Sequence, residues 1–170
     1  MKKYLLIILV AMVAMSCNQI TINQIEGTYS YKTSGVVTIS DNDNNKSYDV
    51  SLDNIIGTLD VKRLPKGDSV LLAFNEFNGD AVTIRACVKG DSILMPMYQK
   101  VYSLTSEAGS GWFQINKTSA SDYLVSISGY GIIMDNMIVF NQQIRSGKIL
   151  ETGKNQSVKS NSLRTIAKKN

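Results

Sequence analysis

From residue 27 onward, apolar and polar residues alternate in short runs, and this two-residue period predicts β-strands. Clusters of Gly, Asn, Asp and Ser interrupt the runs at spacings of roughly 8–12 residues, as in barrels and sandwiches. We predict about ten strands, at residues 27–32, 36–40, 47–52, 57–62, 69–77, 80–88, 92–98, 111–117, 122–128 and 132–140. The pattern therefore predicts an all-β fold: an antiparallel meander of about 8–10 strands that closes into a barrel, with a β-sandwich as the alternative.

The segment 69–88 carries the clearest strand signal, because Asn78-Gly79 separates two strand-like runs. Asn-Gly favours a two-residue type I′ turn, in which both central residues need a positive φ. Such a turn would pair Asn75 with Val82. One face of this hairpin is then mostly apolar and is expected to point inward, and it carries Leu71, Ala73, Phe77, Val82, Ile84, Ala86 and Val88. Glu76 and Arg85 would lie on the opposite face.

The first 17 residues combine a positive start, Lys2-Lys3, with a short apolar run over residues 5–13 and small residues just before Cys17. This organisation is that of a cleaved export signal, and the run is shorter than the roughly 20 residues that span a bilayer. The segment resembles a bacterial lipoprotein signal, which implies removal of residues 1–16 and attachment of lipid to Cys17. An ordinary secretory signal and a retained anchor are the alternatives. We expect a lipid-anchored protein of the cell envelope, at the outer membrane, on a side that the sequence leaves open.

The rest of the chain is expected to form one domain, residues 26–147, between a linker at 17–25 and a basic tail at 148–170. A short helix is expected within this tail, at residues 157–168. Removing the leader leaves 16 basic and 14 acidic residues, a net charge of +2, and residues 17–147 alone carry a net charge of −3. A negative body argues against a nucleic-acid partner. The tail is expected to be solvated, with contact to anionic lipid beside the anchor as the alternative.

Lipid on Cys17 would leave Cys87 as the single thiol of the mature chain, without an intrachain disulfide partner. Cys87 lies within an apolar strand pattern, so we expect its thiol to be buried.

The start of the first predicted strand, Glu26-Gly27-Thr28-Tyr29, is similar to the Gly-x-aromatic entry of lipocalin-like (calycin) barrels. Residues 88–95 and 128–140 are similar to segments of small Gram-negative lipoproteins of that calycin-like group. The resemblance covers most of residues 25–146, although Tyr29 stands where true lipocalins have tryptophan. It implies a meandering lipocalin-like barrel on a lipid anchor and supplies no active site.

The chain has no histidine, which removes Ser-His-Asp and Cys-His catalysis and histidine zinc sites. A carboxylate-pair hydrolase remains conceivable, but Glu26, Glu76 and Glu107 all lie next to predicted turns or strand ends, where solvated residues are expected. We therefore predict that the protein is not an enzyme and uses no cofactor.

Residues 41–45, Asp-Asn-Asp-Asn-Asn, start like a calcium loop. Lys46 and Leu52 stand where such a loop needs a glycine and a bidentate glutamate. We interpret the segment as a hairpin turn, since Asn and Asp tolerate positive φ, and predict no metal site.

Aromatic and methionine side chains in or beside the predicted strands are the candidate ligand-binding residues: Tyr29, Tyr31, Met95, Met97, Trp112 and Tyr130. Methionine suits adaptable apolar cavities, and an eight-stranded barrel can hold one small ligand, although the same residues could simply complete the core. We expect a non-enzymatic binding module for a small apolar molecule or a glycan. The alternative is a structural or assembly component that pairs with an envelope protein.

Overall fold

The computed structural model describes residues 22–52, 55–65, 67–77, 79–105 and 120–170, and these form an all-β, antiparallel protein. One helical turn, α1 (Ile22–Ile25), precedes the strands. The strands, in chain order, are β1 (Gly27–Asp41), β2 (Lys46–Ser51), β3 (Ile55–Arg63), β4 (Ser69–Glu76), β5 (Val82–Lys89), β6 (Ser92–Thr105), β7 (Ala120–Met134), β8 (Met137–Ile149), β9 (Gln156–Lys159) and β10 (Leu163–Lys169). The all-β prediction is confirmed. Residues 1–17, the strand predicted at 111–117, and Asn78 lie outside the described residues.

The strand pairings form a ring. β3 to β8 pair in chain order, β8 pairs with β10, and β10 pairs with β1, which in turn pairs with β3. β2 and β9 pair with the second half of β1, so β1 has strands on both sides at residues 29–33 and again at residues 38–41. Ring-like pairing leaves few free strand edges, which protects a sheet from edge-to-edge association.

The ring has a lower half, at the end where β1 starts, and an upper half, where β1 ends. β1, β6, β7 and β8 are 13–15 residues long and run through both halves. β4 and β5 have eight residues each, pair only with partners in the lower half, and end at mid-height. Between β2 and β6, the described part of the upper half therefore has no paired strand.

Two hydrophobic clusters fill the two halves. Leu59, Leu72, Ile93 and Phe140 are among the buried residues of the lower cluster. Val37, Tyr123, Ile127 and Ile144 are among those of the upper cluster. The strands alternate buried and exposed positions, as expected when one face of a sheet is apolar.

The lower end of the ring is closed by α1. Ile25 is buried in the lower cluster, and the Tyr29 hydroxyl donates a 2.8 Å hydrogen bond to its carbonyl oxygen. Lys169 Nζ donates to the carbonyl oxygen of Gln24 at 2.8 Å and lies 5.9 Å from the centroid of the Tyr29 ring. The start of the first strand and the end of the last one are thereby held together.

The predicted register of the β4–β5 hairpin is wrong by one residue. Phe74, and not Asn75, pairs with Val82, so the connection is longer than the two residues of a type I′ turn. A one-residue shift turns every side chain of one strand to the other face. Phe74 is therefore buried at 6% exposure and Phe77 is 65% exposed, the reverse of the prediction. The other strand, β5, has the predicted inward face, with Ile84, Ala86 and Val88 buried.

Three other boundaries differ from the predictions. The predicted strands 27–32 and 36–40 are one continuous strand, β1. Residues 132–140 form a hairpin rather than a single strand, because Asp135-Asn136 turns the chain between paired Met134 and Met137. Gly129–Gly131, expected to be a turn, lies inside β7; a side chain at Gly131 would meet the Phe140 ring at 2.8 Å, so this glycine makes room for packing.

The prediction of a short helix at 157–168 is wrong, since this part of the predicted basic tail forms β9 and β10. Leu163, Thr165 and Ala167 alternate inward, while the basic side chain of Lys168 is exposed. The tail is therefore part of the sheet, and its charge belongs to an outward face.

Two further features concern the outer surface. Pro96, which cannot donate to a ladder, predicts an edge or bulge, and the register shift between Met95 and Tyr98 confirms a bulge. Cys87, expected to be buried, is exposed, because it alternates with Ala86 and Val88, which face the core.

Candidate functional site

A layer of polar side chains crosses the interior at mid-height, between the two hydrophobic clusters. It comes from five strands of the ring: β1, β4, β6, β8 and β10. Its members are Tyr31, Thr33, Glu76, Tyr98, Lys100, Tyr102, Gln142 and Thr165. Burying polar side chains in a core is costly unless they are hydrogen-bonded, so this layer is the first place to look for function.

An ion pair joins Lys100 Nζ to Glu76 Oε1, and the side chains are only 5% and 12% exposed. Lys100 Nζ also lies 4.7 Å from the centroid of the Tyr102 ring. Burial lowers the pKa of Lys100 to about 8, because an ammonium loses hydration in the interior. A buried ion pair rarely adds net stability, and a titratable group so perturbed marks a candidate site.

A chain of hydrogen bonds runs through the rest of the layer. Gln142 Nε2 donates to the Tyr98 hydroxyl at 3.2 Å, and Thr165 Oγ1 donates to Gln142 Oε1 at 3.2 Å. Thr33 Oγ1 and Thr165 Oγ1 are 2.6 Å apart. Since Thr165 spends its one proton on Gln142, Thr33 is the donor in that contact. The chain fixes the orientation of the Gln142 amide and of the Tyr98 ring.

The hydroxyl of Tyr31 is buried and has no hydrogen-bond partner among the described residues. An unsatisfied buried hydroxyl costs about 1–3 kcal/mol. It faces Gly57, where a Cβ would lie 2.9 Å from the hydroxyl oxygen, so the absence of a side chain on β3 makes room for it. The layer lines a small cavity that offers about 10 Å³ to the centre of a water molecule, which is about the space one water needs.

A side recess of about 310 Å³ adjoins the polar layer. It lies above the tip of the β4–β5 hairpin, where the two short strands have ended and no described strand bridges β2 and β6. Its described lining combines apolar side chains with polar groups in about equal measure: Leu52, Ile55, Ile56, Glu76, Gly79, Asp80, Val101, Tyr102, Ser103 and Leu104. Glu76 and Tyr102 belong to both the recess and the polar layer, so the two are adjacent.

The described members of the sequence-predicted binding residues lie at several places, although Met95 and Tyr130 both line a groove across β6, β7 and β8. Tyr29 is at the closed lower end, and Met95 is in the lower cluster. Met97 and Tyr130 are 67% and 47% exposed, on the outside of the sheet. Trp112 and the lipid-attachment residue Cys17 lie outside the described residues. Of the predicted residues, Tyr31 is the described one that belongs to the polar layer.

The residues that sequence reasoning missed are Lys100 and its neighbours. Tyr98, Lys100 and Tyr102 are spaced two apart in β6, which puts them on one face of a strand. A lysine between two aromatic residues on the apolar face was the available signal. Glu76 was missed because the predicted hairpin register placed it outside.

Asp41 organises the turn between β1 and β2. Its Oδ1 accepts hydrogen bonds from the backbone N–H groups of Asp43 and Asn44, at 3.1 and 3.2 Å, and its Oδ2 accepts one from the Asn44 amide. These hydrogen bonds lower the pKa of Asp41. They are the contacts of an Asx-type turn. Among the described residues, no group of three Cys, Asp or Glu side chains is arranged to hold a metal ion.

Within the described ranges, no helix is long and apolar enough to span a membrane. Compared with known proteins, the chain matches no family model, and no curated protein is significantly similar to it.

Proposed function

We propose that the protein is an envelope lipoprotein whose body is a lipocalin-like β-barrel. The ring of strand pairings supports the barrel, and so does the closed lower end around Tyr29, in the Gly-x-aromatic start of β1. The lipobox-like residues before Cys17 support the anchor. α1 begins five residues after Cys17, a reach of at most about 18 Å. The lower end of the ring would thus sit beside the membrane, with the side recess directed away from it.

The barrel would act as a non-enzymatic binding module for a small molecule with an apolar body. The observation that carries this proposal is the recess of about 310 Å³ that opens onto the polar layer. Binding sites for small molecules are concave and mostly apolar, with a few polar groups that fix orientation. Leu52, Ile55 and Leu104 would contact the apolar body, and Glu76 would orient a polar group.

A tryptophan in the recess tests this proposal. Ile56 lines the recess and is 46% exposed, so Ile56→Trp should fill the space at little cost in stability. We expect the fluorescence of N-phenyl-1-naphthylamine to rise saturably with the wild-type protein and the Kd to increase at least tenfold, about 1.4 kcal/mol, in the variant.

Val36→Trp is the matched control. Val36 is also a β-branched residue on a strand, is 50% exposed, and is not among the recess residues. Its tryptophan should leave the Kd unchanged. Equal weakening by both variants, or no saturable binding to the wild type, would contradict a binding site in the recess.

A second candidate ligand is a glycan on the outside of the sheet. A shallow groove of about 560 Å³ crosses β6, β7 and β8, and its lining includes the exposed ring of Tyr130, the Asn141 and Gln143 amides and Arg145. Aromatic faces with nearby amide and guanidinium donors suit a sugar with many hydroxyl groups. In the same fluorescence assay, a glycan bound there should not displace the probe from the recess.

A further inference from the structure

We propose that Lys100 is a carbonyl-reactive residue that forms a reversible imine with a small apolar aldehyde entering by the side recess. This inference rests on the proposed binding function and names the chemical class of the ligand. Its basis is the position of one amine, buried beside a carboxylate, directly behind two residues that line an open recess.

Lys100 is the one buried lysine in the described part of the chain. Its Nζ contacts Glu76 and the ring face of Tyr102, and those two residues line the recess. A ligand that displaces the Glu76 side chain by one rotamer would therefore meet the amine.

The carboxylate beside Lys100 supplies the proton transfers that an imine needs. A lysine attacks a carbonyl only as the neutral amine, and Glu76 is in contact to accept the proton that Lys100 gives up. In an apolar interior, transfer of this proton from Lys100 to Glu76 replaces the two buried charges of the ion pair by two neutral groups. Burial, which lowers the pKa of Lys100 from 10.5 to about 8, also favours the neutral amine. The difference of 2.5 gives Lys100 about 300 times more neutral amine at pH 7 than an exposed lysine holds.

The reaction balances without an oxidant or reductant. The nitrogen lone pair of Lys100 forms a bond to the carbonyl carbon, and one nitrogen proton moves to the carbonyl oxygen to give a carbinolamine. Protonated Glu76 then donates to the hydroxyl, the C–O bond breaks and water leaves. Loss of the remaining nitrogen proton back to Glu76 leaves a C=N bond, so aldehyde and amine give imine and one water.

The polar layer can also receive the water that leaves. The Tyr31 hydroxyl has no partner among the described residues and borders the small cavity next to Lys100. That cavity has room for about one water molecule. The unsatisfied hydroxyl is thus a natural partner for the released water.

Reductive trapping tests the proposal. The mature chain is incubated with hexanal and sodium cyanoborohydride at pH 7, which converts an imine into a stable hexyl-lysine, and labelled lysines are found by peptide mass mapping. We expect Lys100 to be labelled at least ten times faster than the exposed Lys62 or Lys89. Hexanol, which has no carbonyl group, should slow the labelling by competing for the recess. Glu76→Gln should slow it at least tenfold while labelling of Lys62 stays constant.

Recess variants serve as a check that does not depend on changing the polar layer. Ile56→Trp should block labelling of Lys100, and Val36→Trp should not. Labelling of Lys62 and Lys89 with Lys100 unmodified would overturn the proposal, and so would equal rates at all three lysines. If Lys100 is not labelled preferentially but N-phenyl-1-naphthylamine still binds in the recess of the same protein, the imine proposal fails and the binding function stands. If the probe does not bind either, both fail.

Discussion

At the scale of single residues, the interior contains buried polar groups that a purely structural role explains poorly. Lys100 and Glu76 could be replaced by apolar residues that pack well, and buried ion pairs often lose against such replacements. Nearby, the Tyr31 hydroxyl is buried without a partner among the described residues. Local departures from good packing of this kind are expected where a protein is built for function.

The lowered pKa of Lys100 makes a stability prediction with a definite sign. Between pH 8 and 10.5 the unfolded chain holds a proton that the native Lys100 has lost, so the free energy of unfolding should rise with pH. The slope approaches about 1.4 kcal/mol per pH unit, giving roughly 2 kcal/mol between pH 8 and 9.5. Urea unfolding at pH 7.5, 8.5 and 9.5 measures it.

The control is the double variant Lys100→Met/Glu76→Gln, which removes both charged partners. Its free energy of unfolding should not rise between pH 7.5 and 9.5. The series stops at pH 9.5 because burial raises the pKa of Tyr31, Tyr98 and Tyr102, which contributes with the opposite sign near pH 10. A wild-type curve parallel to that of the double variant would show that Lys100 keeps its ordinary pKa.

At the scale of elements, the β4–β5 hairpin decides where the site is. Its register turns Glu76 inward to meet Lys100, and its short strands leave the recess open above the tip. The register predicted from Asn78-Gly79 would have put Glu76 in solvent and Phe77 in the core. One residue of shift therefore separates a ring with a purely apolar interior from a ring with a polar layer.

Two phenylalanines in this hairpin test its register directly. Phe74 is buried and contacts the rings of Tyr31 and Phe140 edge-on, at centroid distances of 5.5 and 5.4 Å. Phe74→Ala should lower the free energy of unfolding by about 3–5 kcal/mol. Phe77→Ala, at an exposed position of the same hairpin, should change it by less than about 0.5 kcal/mol. If urea unfolding showed Phe77→Ala to be the more destabilising change, the predicted register with a two-residue turn would be correct.

Sequence reasoning worked for elements with a strong two-residue alternation and failed where a turn had to be located. The inward face of β5 follows from Ile84, Ala86 and Val88. Asn78-Gly79 led to the prediction of a two-residue turn, whereas the side-chain packing of Phe74 against Phe140 determines the register. The Phe140 contact lies 66 residues away along the chain, so a local pattern cannot reveal it.

At the scale of the whole molecule, the ring depends on its last strand. β10 pairs with β1 on one side and with β8 on the other. Its basic residues made it resemble a solvated tail, but Leu163, Thr165 and Ala167 alternate with them and face the core. A number of about ten strands, the count among the described residues, was predictable from turn spacing, although β9 and β10 were not among the predicted strands. The strand that closes the ring was not predictable, since its pairing with β1 joins residues 128–140 positions apart.

The chain's two cysteines have different expected roles, which gives a test of the proposed anchor. Cys17 precedes α1 at the closed lower end, whereas Cys87 is exposed on the outer face of β5. Cys17→Ala should move the protein from the membrane fraction to the soluble fraction and abolish labelling by radioactive palmitate, because the acyl chains are the expected source of membrane affinity. Cys87→Ala, the matched change at the other cysteine, should leave both the fractionation and the labelling as in the wild type. Membrane retention of Cys17→Ala without label would mean that the leader itself, or the basic residues of β10, holds the protein at the membrane. The closed lower end would then have to be reinterpreted as something other than the end of a tether.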